Sequence, residues 1–211
     1  MGIHLNQISV TMLDPSMTEE QLKEDLLLIR AFGVKSVVVL PCHVARSKQL
    51  LEGTTIQVSS ISDFPLGAGT LGKQAFETGE LYRIGAAEVH ITATVENLSI
   101  SRQTYHMLAP LSFGRGPLGF FLDIDEMSDQ ERGKLALQIG RVNAKTILLG
   151  TALTVEDALF HLGIFRAAKE RSLRLQVNVA SPTLLEMEIL LQSGADIVGI
   201  NNPREILPLF N

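Results

Sequence analysis

Short apolar runs rich in β-branched residues alternate with longer stretches of helical periodicity along the chain, and the alternation repeats eight times. Eight strands that alternate with helices, at about 26 residues per unit, are typical of a closed barrel of parallel strands. The pattern predicts one α/β domain over residues 1–211, a (β/α)8 TIM barrel, and an open sheet of eight parallel strands is the alternative. The predicted strands are Ile3–Leu13, Ser36–Pro41, Thr55–Ile61, Glu88–Val95, Phe120–Asp125, Thr146–Thr151, Leu173–Ser181 and Asp196–Asn202.

Helix-start signals follow several of these runs, which supports the division into units. Thr18 and Gln21 have the spacing of a capping box, in which each side chain bonds the other residue's backbone N–H. Ser128 and Glu131 repeat that spacing, and Gly33 is a typical end for the first helix.

Composition restricts the classes of partner. The 211 residues are 45% hydrophobic and 19% charged, with a formal net charge of -5 and no run of basic residues that would neutralise a nucleic acid or an anionic membrane. No segment approaches the length of a membrane span, and the first residues do not resemble a signal peptide. With Cys42 as the single cysteine, we expect a cytoplasmic protein, without an internal disulfide, whose partner is a small molecule. Assembly into a homo-oligomer is left open.

In a (β/α)8 barrel the loops that follow the strands carry the active site. His90 lies on the inward face of the fourth predicted strand, and Asp123 and Asp125 share one face of the fifth. These three residues form the candidate acid/base cluster, and the alternative for His90 is a structural histidine in the barrel interior. Two carboxylates and one histidine without a ligand-spacing motif are a weak metal signal, so we predict neither a metal nor a cofactor.

The end of the eighth predicted strand is a candidate phosphate-binding site. Gly199, Asn201 and Asn202 precede Pro203, a residue favoured at the first position of a helix. Backbone N–H groups at such a position can bind an anion, so the small-molecule partner would be phosphorylated if this site is used. The alternative is that Asn202 only caps the helix.

Residues 58–70, VSSISDFPLGAGT, begin as an alternating strand and end in a loop with two glycines and a proline. This segment resembles the third strand and following loop of the deoxyribose-phosphate aldolase family, a (β/α)8 class I aldolase. Further resemblance lies in TMLDPSMTEEQLKEDL, SVVVLPCHV, ELYRIGAAEVHITATVENL, FFLDIDEMSDQE, ALTVEDALF and SGADIVGINN, so it extends over nearly the whole chain.

The resemblance implies cleavage of 2-deoxyribose 5-phosphate through a Schiff base on a lysine of strand six. It also implies a second lysine on strand seven and an aspartate on strand four. Here the aligned positions are Leu148, Val179 and His90. Only an amine forms the iminium electron sink, so these differences put the retro-aldol chemistry in doubt.

Two other lysines are candidates for the missing amine. Lys73 follows the loop of residues 58–70 on the functional side of the predicted barrel, and Lys145 would enter strand six only if the alignment shifted by three residues. The leading hypothesis is an aldolase-like barrel that has lost Schiff-base activity and binds a small ligand or has a regulatory or interaction role. The alternative is a divergent lyase or isomerase on a sugar phosphate that uses His90 and Asp123, and a third hypothesis keeps aldolase activity through Lys73 or Lys145.

Overall fold

The computed structural model describes residues 3–94, 116–124, 127–139, 144–168 and 173–210. Eight parallel strands close into a barrel in chain order, with β1 paired to both β2 and β8. The predicted (β/α)8 TIM barrel is therefore confirmed, and the open sheet is excluded. The strands are β1 Ile8–Met12, β2 Ser36–Val39, β3 Gln57–Ser62, β4 Glu88–Ala93, β5 Leu118–Leu122, β6 Thr146–Leu153, β7 Arg174–Val179 and β8 Ile197–Ile200.

Helices connect the strands on the outside of the barrel. The predicted capping box of α1 is present, because Thr18 accepts a hydrogen bond from the Gln21 N–H and the Gln21 side chain accepts one from the Thr18 N–H. In the described ranges no helix is long and apolar enough to cross a membrane. The helices in these ranges are α1 Glu19–Phe32, α2 Val44–Leu50, α3 Leu71–Arg83, α4 Asp129–Ile139, α5 Val155–Ala168, α6 Leu184–Gln192 and α7 Pro203–Ile206.

The buried apolar residues form two separate clusters. The larger one lies between the strands and the helices, where residues such as Val10, Leu26 and Ile147 pack. The smaller one fills the barrel interior, and we call it the apolar plug. Its members are Leu13, Val38, Ile61, Phe121 and Leu148.

The first residues of β4, β6 and β7 place polar side chains in the barrel interior, at the end opposite to the apolar plug. Arg174 at the start of β7 donates hydrogen bonds from Nη2 to Glu88 Oε2 and to Thr146 Oγ1, both at 2.8 Å. Because Glu88 is buried, its charge depends on this guanidinium partner. The apolar plug therefore lies towards the carboxyl ends of the strands, and the ionic contacts lie at their amino ends.

Candidate ligand site at the carboxyl-terminal face

The described residues form two cavities on the face of the barrel where the strands have their carboxyl ends. The larger cavity opens where β1, β2, β3, β6 and β8 end, and has a volume of about 570 Å³. That volume is in the usual range for small-molecule sites, roughly 300–1,000 Å³. Its floor includes Leu13 of the apolar plug, together with Leu40 and Phe64, which pack against the plug. The lining residues are Thr11, Met12, Leu13, Asp14, Pro15, Met17, Leu40, Phe64, Pro65, Thr151, Ala152 and Asn201.

The loop that follows β3, residues Asp63–Thr70, is the rim loop of this cavity. Asp63 has the left-handed backbone conformation, with φ of 61°, which aspartate adopts more readily than most residues. Its carboxylate is 4% exposed and accepts hydrogen bonds from Lys73 Nζ at 2.5 Å, Gln74 Nε2 at 3.0 Å and the Gly69 N–H at 2.7 Å. One carboxylate thus ties the start of the rim loop to its end and to α3.

A second carboxylate on α3 fixes the entry into the rim loop. Glu77 Oε2 accepts hydrogen bonds from the Asp63 N–H at 2.7 Å and from Ser62 Oγ at 2.9 Å. Lys73, Gln74 and Glu77 lie within about one turn of α3, so they present their side chains to the loop together. The rim loop is therefore held by side chains from the helix that follows it.

The rim loop lies between the larger cavity and a smaller one of about 330 Å³ at the ends of β4 and β5. Pro65, which follows a cis Phe64–Pro65 peptide bond, lines both. The smaller cavity carries two acidic residues on its wall, Asp123 and Glu131. Its lining residues are Pro65, Leu66, Thr92, Ala93, Thr94, Asp123, Met127 and Glu131.

Lys73 is close to the site, as the sequence predicts, but its ammonium group is bound by Asp63. The hydrogen bond and the charge of Asp63 raise the pKa of Lys73 above its ordinary value. Burial alone would raise the pKa of Asp63, but the hydrogen bonds from Lys73, Gln74 and Gly69 outweigh it and lower that pKa. Lys73 therefore stays protonated at neutral pH, whereas a Schiff-base lysine needs a free amine.

His90 lies in the barrel interior and lines neither of the two cavities. It is 2% exposed, and its Nδ1 has no hydrogen-bond partner. Burial lowers the pKa of His90, the nearby Glu88 raises it and Arg174 lowers it, with a net lowering, so the imidazole is neutral. A Cβ atom on Gly119 would overlap the ring, so this glycine of β5 provides the space that His90 occupies.

The other members of the predicted acid/base cluster are not brought to His90. Asp123 is exposed and lies on the wall of the smaller cavity, and Asp125 lies outside the described residues. In the described part of the chain no hydrogen bond or ion pair joins Asp123 to His90. The roles predicted for these residues therefore remain predictions, and the described geometry does not assemble them into one site.

The predicted phosphate-binding residues have three different environments. Gly199 is buried, and a Cβ atom there would overlap Asn178 Oδ1. Asn201 lines the larger cavity. Asn202 Nδ2 donates to Glu205 Oε2 at 2.8 Å, so a carboxylate lies beside the predicted anion site. Phosphate binding by these residues remains a prediction.

The inward residue of β6 at the level of the apolar plug is Leu148, which pairs with Phe121 of β5 and Gln176 of β7. Lys145 precedes the strand at its amino end and is exposed. Leu148 thus occupies the interior position of β6 at this level. Lys145 does not reach this position.

The interior residue of β7 at this level is Asn178. Val179 packs in the outer cluster, whereas Asn178 points inward, accepting from Thr11 Oγ1 at 3.0 Å and donating to the Gly150 carbonyl at 2.6 Å. Val179, the residue aligned with the strand-seven lysine, therefore lies on the outer face of β7, one residue from the interior position. In a strand a shift of one residue reverses the face, and apolar residues on both sides of Asn178 gave no signal of the direction.

Sequence comparison identifies relatives of the chain, although no protein-family model matches it. The deoxyribose-phosphate aldolase of Thermoanaerobacter pseudethanolicus is 23% identical over 216 residues, which cover 97% of this chain and 95% of the relative. The aldolase of the same name from Macrococcus caseolyticus is 39% identical over 88 residues, 42% of this chain and 40% of the relative. The chain is thus similar in sequence to deoxyribose-phosphate aldolases over nearly its whole length.

Solved structures of aldolases share the fold of this chain. The tetrameric deoxyribose-phosphate aldolase of Aeropyrum pernix superposes with a TM-score of 0.82 at 17% identity, covering 98% of this chain and 90% of that one. Orotidine 5'-phosphate decarboxylase of Pyrococcus horikoshii superposes with a TM-score of 0.65 at 11% identity, covering 93% and 94%. A decarboxylase with the same barrel shows that the fold alone does not define the reaction.

Sequence reasoning missed the contacts that hold the rim loop. The carboxylate of Asp63 accepts hydrogen bonds from Lys73, Gln74 and Gly69. One signal was available, because positions 73, 74 and 77 of α3 are polar and lie on adjacent parts of the helix surface. That pattern indicates a polar contact for this end of the helix but not its partner.

Proposed function

We propose that this chain is a deoxyribose-phosphate aldolase-like barrel that binds a small molecule in the larger cavity and does not perform the Schiff-base retro-aldol reaction. The observation that carries the proposal is the pair of interior residues Leu148 and Asn178, neither of which is an amine. Without a nucleophilic lysine the covalent pathway is absent, and most of the rate enhancement depends on that pathway.

The remaining lysines near the strands also support the proposal. Lys73 is held as a cation by Asp63, and Lys145 lies at the end of β6 opposite to the cavities. An amine with a raised pKa is less nucleophilic at neutral pH, so the third hypothesis, aldolase activity through Lys73, has little support.

The competing function is a lyase or isomerase that uses His90 as acid/base and Asp123 as its partner. It has less support, because His90 lines neither cavity and no described contact links it to Asp123. A general base must reach the substrate proton directly or through one water molecule. Phe121 and Leu148 of the apolar plug, both fully buried, follow His90 in the interior towards the larger cavity.

A trapping experiment tests the proposal. The protein is incubated with 2-deoxyribose 5-phosphate and sodium borohydride, which reduces any Schiff base to a stable amine, and the intact mass is measured. We expect no adduct, while a lysine-dependent aldolase treated identically serves as the positive control. A stoichiometric adduct would contradict the proposal, and its loss in Lys73→Met or in Lys145→Met would identify the reactive amine.

We also propose that the chain forms a homo-oligomer. The proposal is based on the tetrameric Aeropyrum pernix relative and on large exposed apolar side chains, of which Leu66 and Phe76 are each 77% exposed. Light scattering during size-exclusion chromatography measures the mass directly, and a mass equal to one chain at all concentrations would refute the proposal.

A further inference from the structure

We propose that the ligand of the larger cavity is a neutral small molecule with an apolar body, and that a phosphorylated sugar is not accepted there. This inference rests on the proposed function, because it concerns the ligand of the same cavity. It follows from the chemistry of the cavity wall and from the charges around it.

Most of the wall is apolar. Eight of the twelve lining residues are Met, Leu, Pro, Phe or Ala. Leu13, Leu40 and Phe64 form its floor with the apolar plug, and Met17 adds a flexible thioether side chain that adapts to irregular shapes. A sugar phosphate has hydroxyl groups on most of its carbons, and these would lose hydrogen bonds to water against such a wall. An apolar body gains from burial on the same surface.

The polar groups on the wall suit one uncharged polar end of a ligand. Thr151 and Asn201 line the cavity with a hydroxyl and an amide, at the ends of β6 and β8. Thr11 is less available, because its hydroxyl donates to Asn178 Oδ1. A hydroxyl and an amide match an alcohol, a carbonyl or an amide on the ligand.

The charges around the cavity disfavour an anion. The ionisable lining residue is Asp14, whose carboxylate accepts from Ser16 Oγ at 2.7 Å and from the Ser16 N–H at 2.8 Å. These hydrogen bonds lower the pKa of Asp14, so it is ionised at neutral pH. Within the described ranges neither cavity has a lysine, arginine or histidine on its wall, and the smaller one adds Asp123 and Glu131. A phosphate would approach carboxylates without a compensating cation.

The cation of α3 beside the rim loop is already bound to a carboxylate. Lys73 Nζ is bound to Asp63 Oδ1, and among the described residues neither Lys73 nor an arginine lines the larger cavity. At the end of β8, Glu205 accepts hydrogen bonds from Asn202 Nδ2 and from Ser181 Oγ. A phosphate placed there would have to displace or oppose this carboxylate.

The neutral fluorescent probe N-phenyl-1-naphthylamine tests the inference, with Ala152→Trp as the blocking variant. Ala152 is exposed and lines the cavity, so an indole there fills space without disturbing the core. Ala45→Trp is the matched control, because Ala45 is equally exposed on α2 and lines neither cavity. Since the chain has no tryptophan, each variant carries a single tryptophan. Circular dichroism checks that both variants fold.

We expect saturable binding of one probe per chain, weakened about tenfold or more by Ala152→Trp, a loss typical of a blocked hot spot. We expect no change with Ala45→Trp. Neither inorganic phosphate nor 2-deoxyribose 5-phosphate should displace the probe. Absence of saturable binding, or equal weakening by both variants, would overturn the inference.

Calorimetric titration with 2-deoxyribose 5-phosphate separates the inference from the proposed function. Binding that Ala152→Trp weakens and Ala45→Trp does not, with no borohydride adduct, overturns the inference and leaves the proposed function standing. A borohydride adduct overturns the proposed function whatever the probe shows. No heat of binding, together with saturable probe binding, supports both.

Discussion

Removal of the Asp63 carboxylate should lower the free energy of unfolding by more than the loss of one hydrogen bond would. Asp63 accepts three hydrogen bonds, and two of the donors, the Gly69 N–H and the Nε2 of the buried Gln74, share its Oδ2. The third donor, Lys73 Nζ, belongs to a side chain that is 59% exposed. The Gly69 N–H and the buried Gln74 amide depend on Asp63, whereas the ammonium group of Lys73 can turn to water.

The expected magnitude follows from this division. In Asp63→Ala two donors lose their acceptor, at about 1–2 kcal/mol each, and alanine at a φ of 61° costs roughly 1 kcal/mol more. The free energy of unfolding should therefore fall by about 3–5 kcal/mol. In Asp63→Asn the amide oxygen still accepts from Gly69 and Gln74, and asparagine tolerates the left-handed conformation, so the loss should be about 1 kcal/mol.

Urea unfolding followed by circular dichroism measures these differences, provided that the slope with urea stays the same in all variants. Lys73→Met is the matched control. It removes the exposed partner of the ion pair and leaves the hydrogen bonds that Gly69 and Gln74 donate to Asp63. It should resemble Asp63→Asn. Losses of equal size in Asp63→Asn and Asp63→Ala would refute the reasoning, because the charge would then matter rather than the buried acceptor.

Three further predictions concern other parts of the barrel. The folded-state pKa of Asp63 is lowered, so its contribution to the free energy of unfolding is complete above the unfolded pKa of about 3.9 and is lost as pH falls through the folded value. In urea titrations from pH 7 to pH 3, the unfolding free energies of wild type and Asp63→Asn should therefore converge at the acidic end. A difference between them that widens there would contradict this. Gly199→Ala should lower the unfolding free energy by about 2–4 kcal/mol, because its Cβ displaces Asn178. Gly163→Ala, at an exposed position of α5, should instead raise the unfolding free energy by roughly 0.5–1 kcal/mol, since nothing lies within 4 Å of the added atom. A similar loss of unfolding free energy in the two glycine variants would contradict the steric argument. His90→Gln should leave probe binding in the larger cavity unchanged while thermal unfolding occurs at a lower temperature, and weaker binding would show that His90 acts on the site.

The fold could be predicted from the sequence because each unit contains its own local signals. A β-branched run, a capping residue and an apolar helical stripe recur, as at Thr18 and Gln21. Strand boundaries were less accurate: the run predicted to begin at Ile3 becomes a strand only at Ile8, and residues 5–7 form a short 3-10 helix. Helix-like turns of this length lack a periodic sequence signal.

The site was predictable only in outline. The rule that loops after the strands form the functional face placed Lys73 and Asn201 correctly. It could not show that Lys73 is bound to Asp63, since that contact depends on the path of the loop between them. It also could not show that His90 stays below the apolar plug, because the depth of a residue inside a barrel depends on the stagger between strands.

At two interior glycines, Gly119 beside His90 and Gly199 beside Asn178, the substitutions that one strand tolerates depend on the side chain of the neighbouring strand. Each large polar side chain can exist only while its neighbour lacks a Cβ atom. A substitution at Gly199 is therefore accepted only after residue 178 has become smaller, and an enlargement at residue 178 only while Gly199 persists. The order in which mutations occur is thus constrained at these two pairs, so a change of chemistry in the interior of this barrel requires coordinated replacements on adjacent strands.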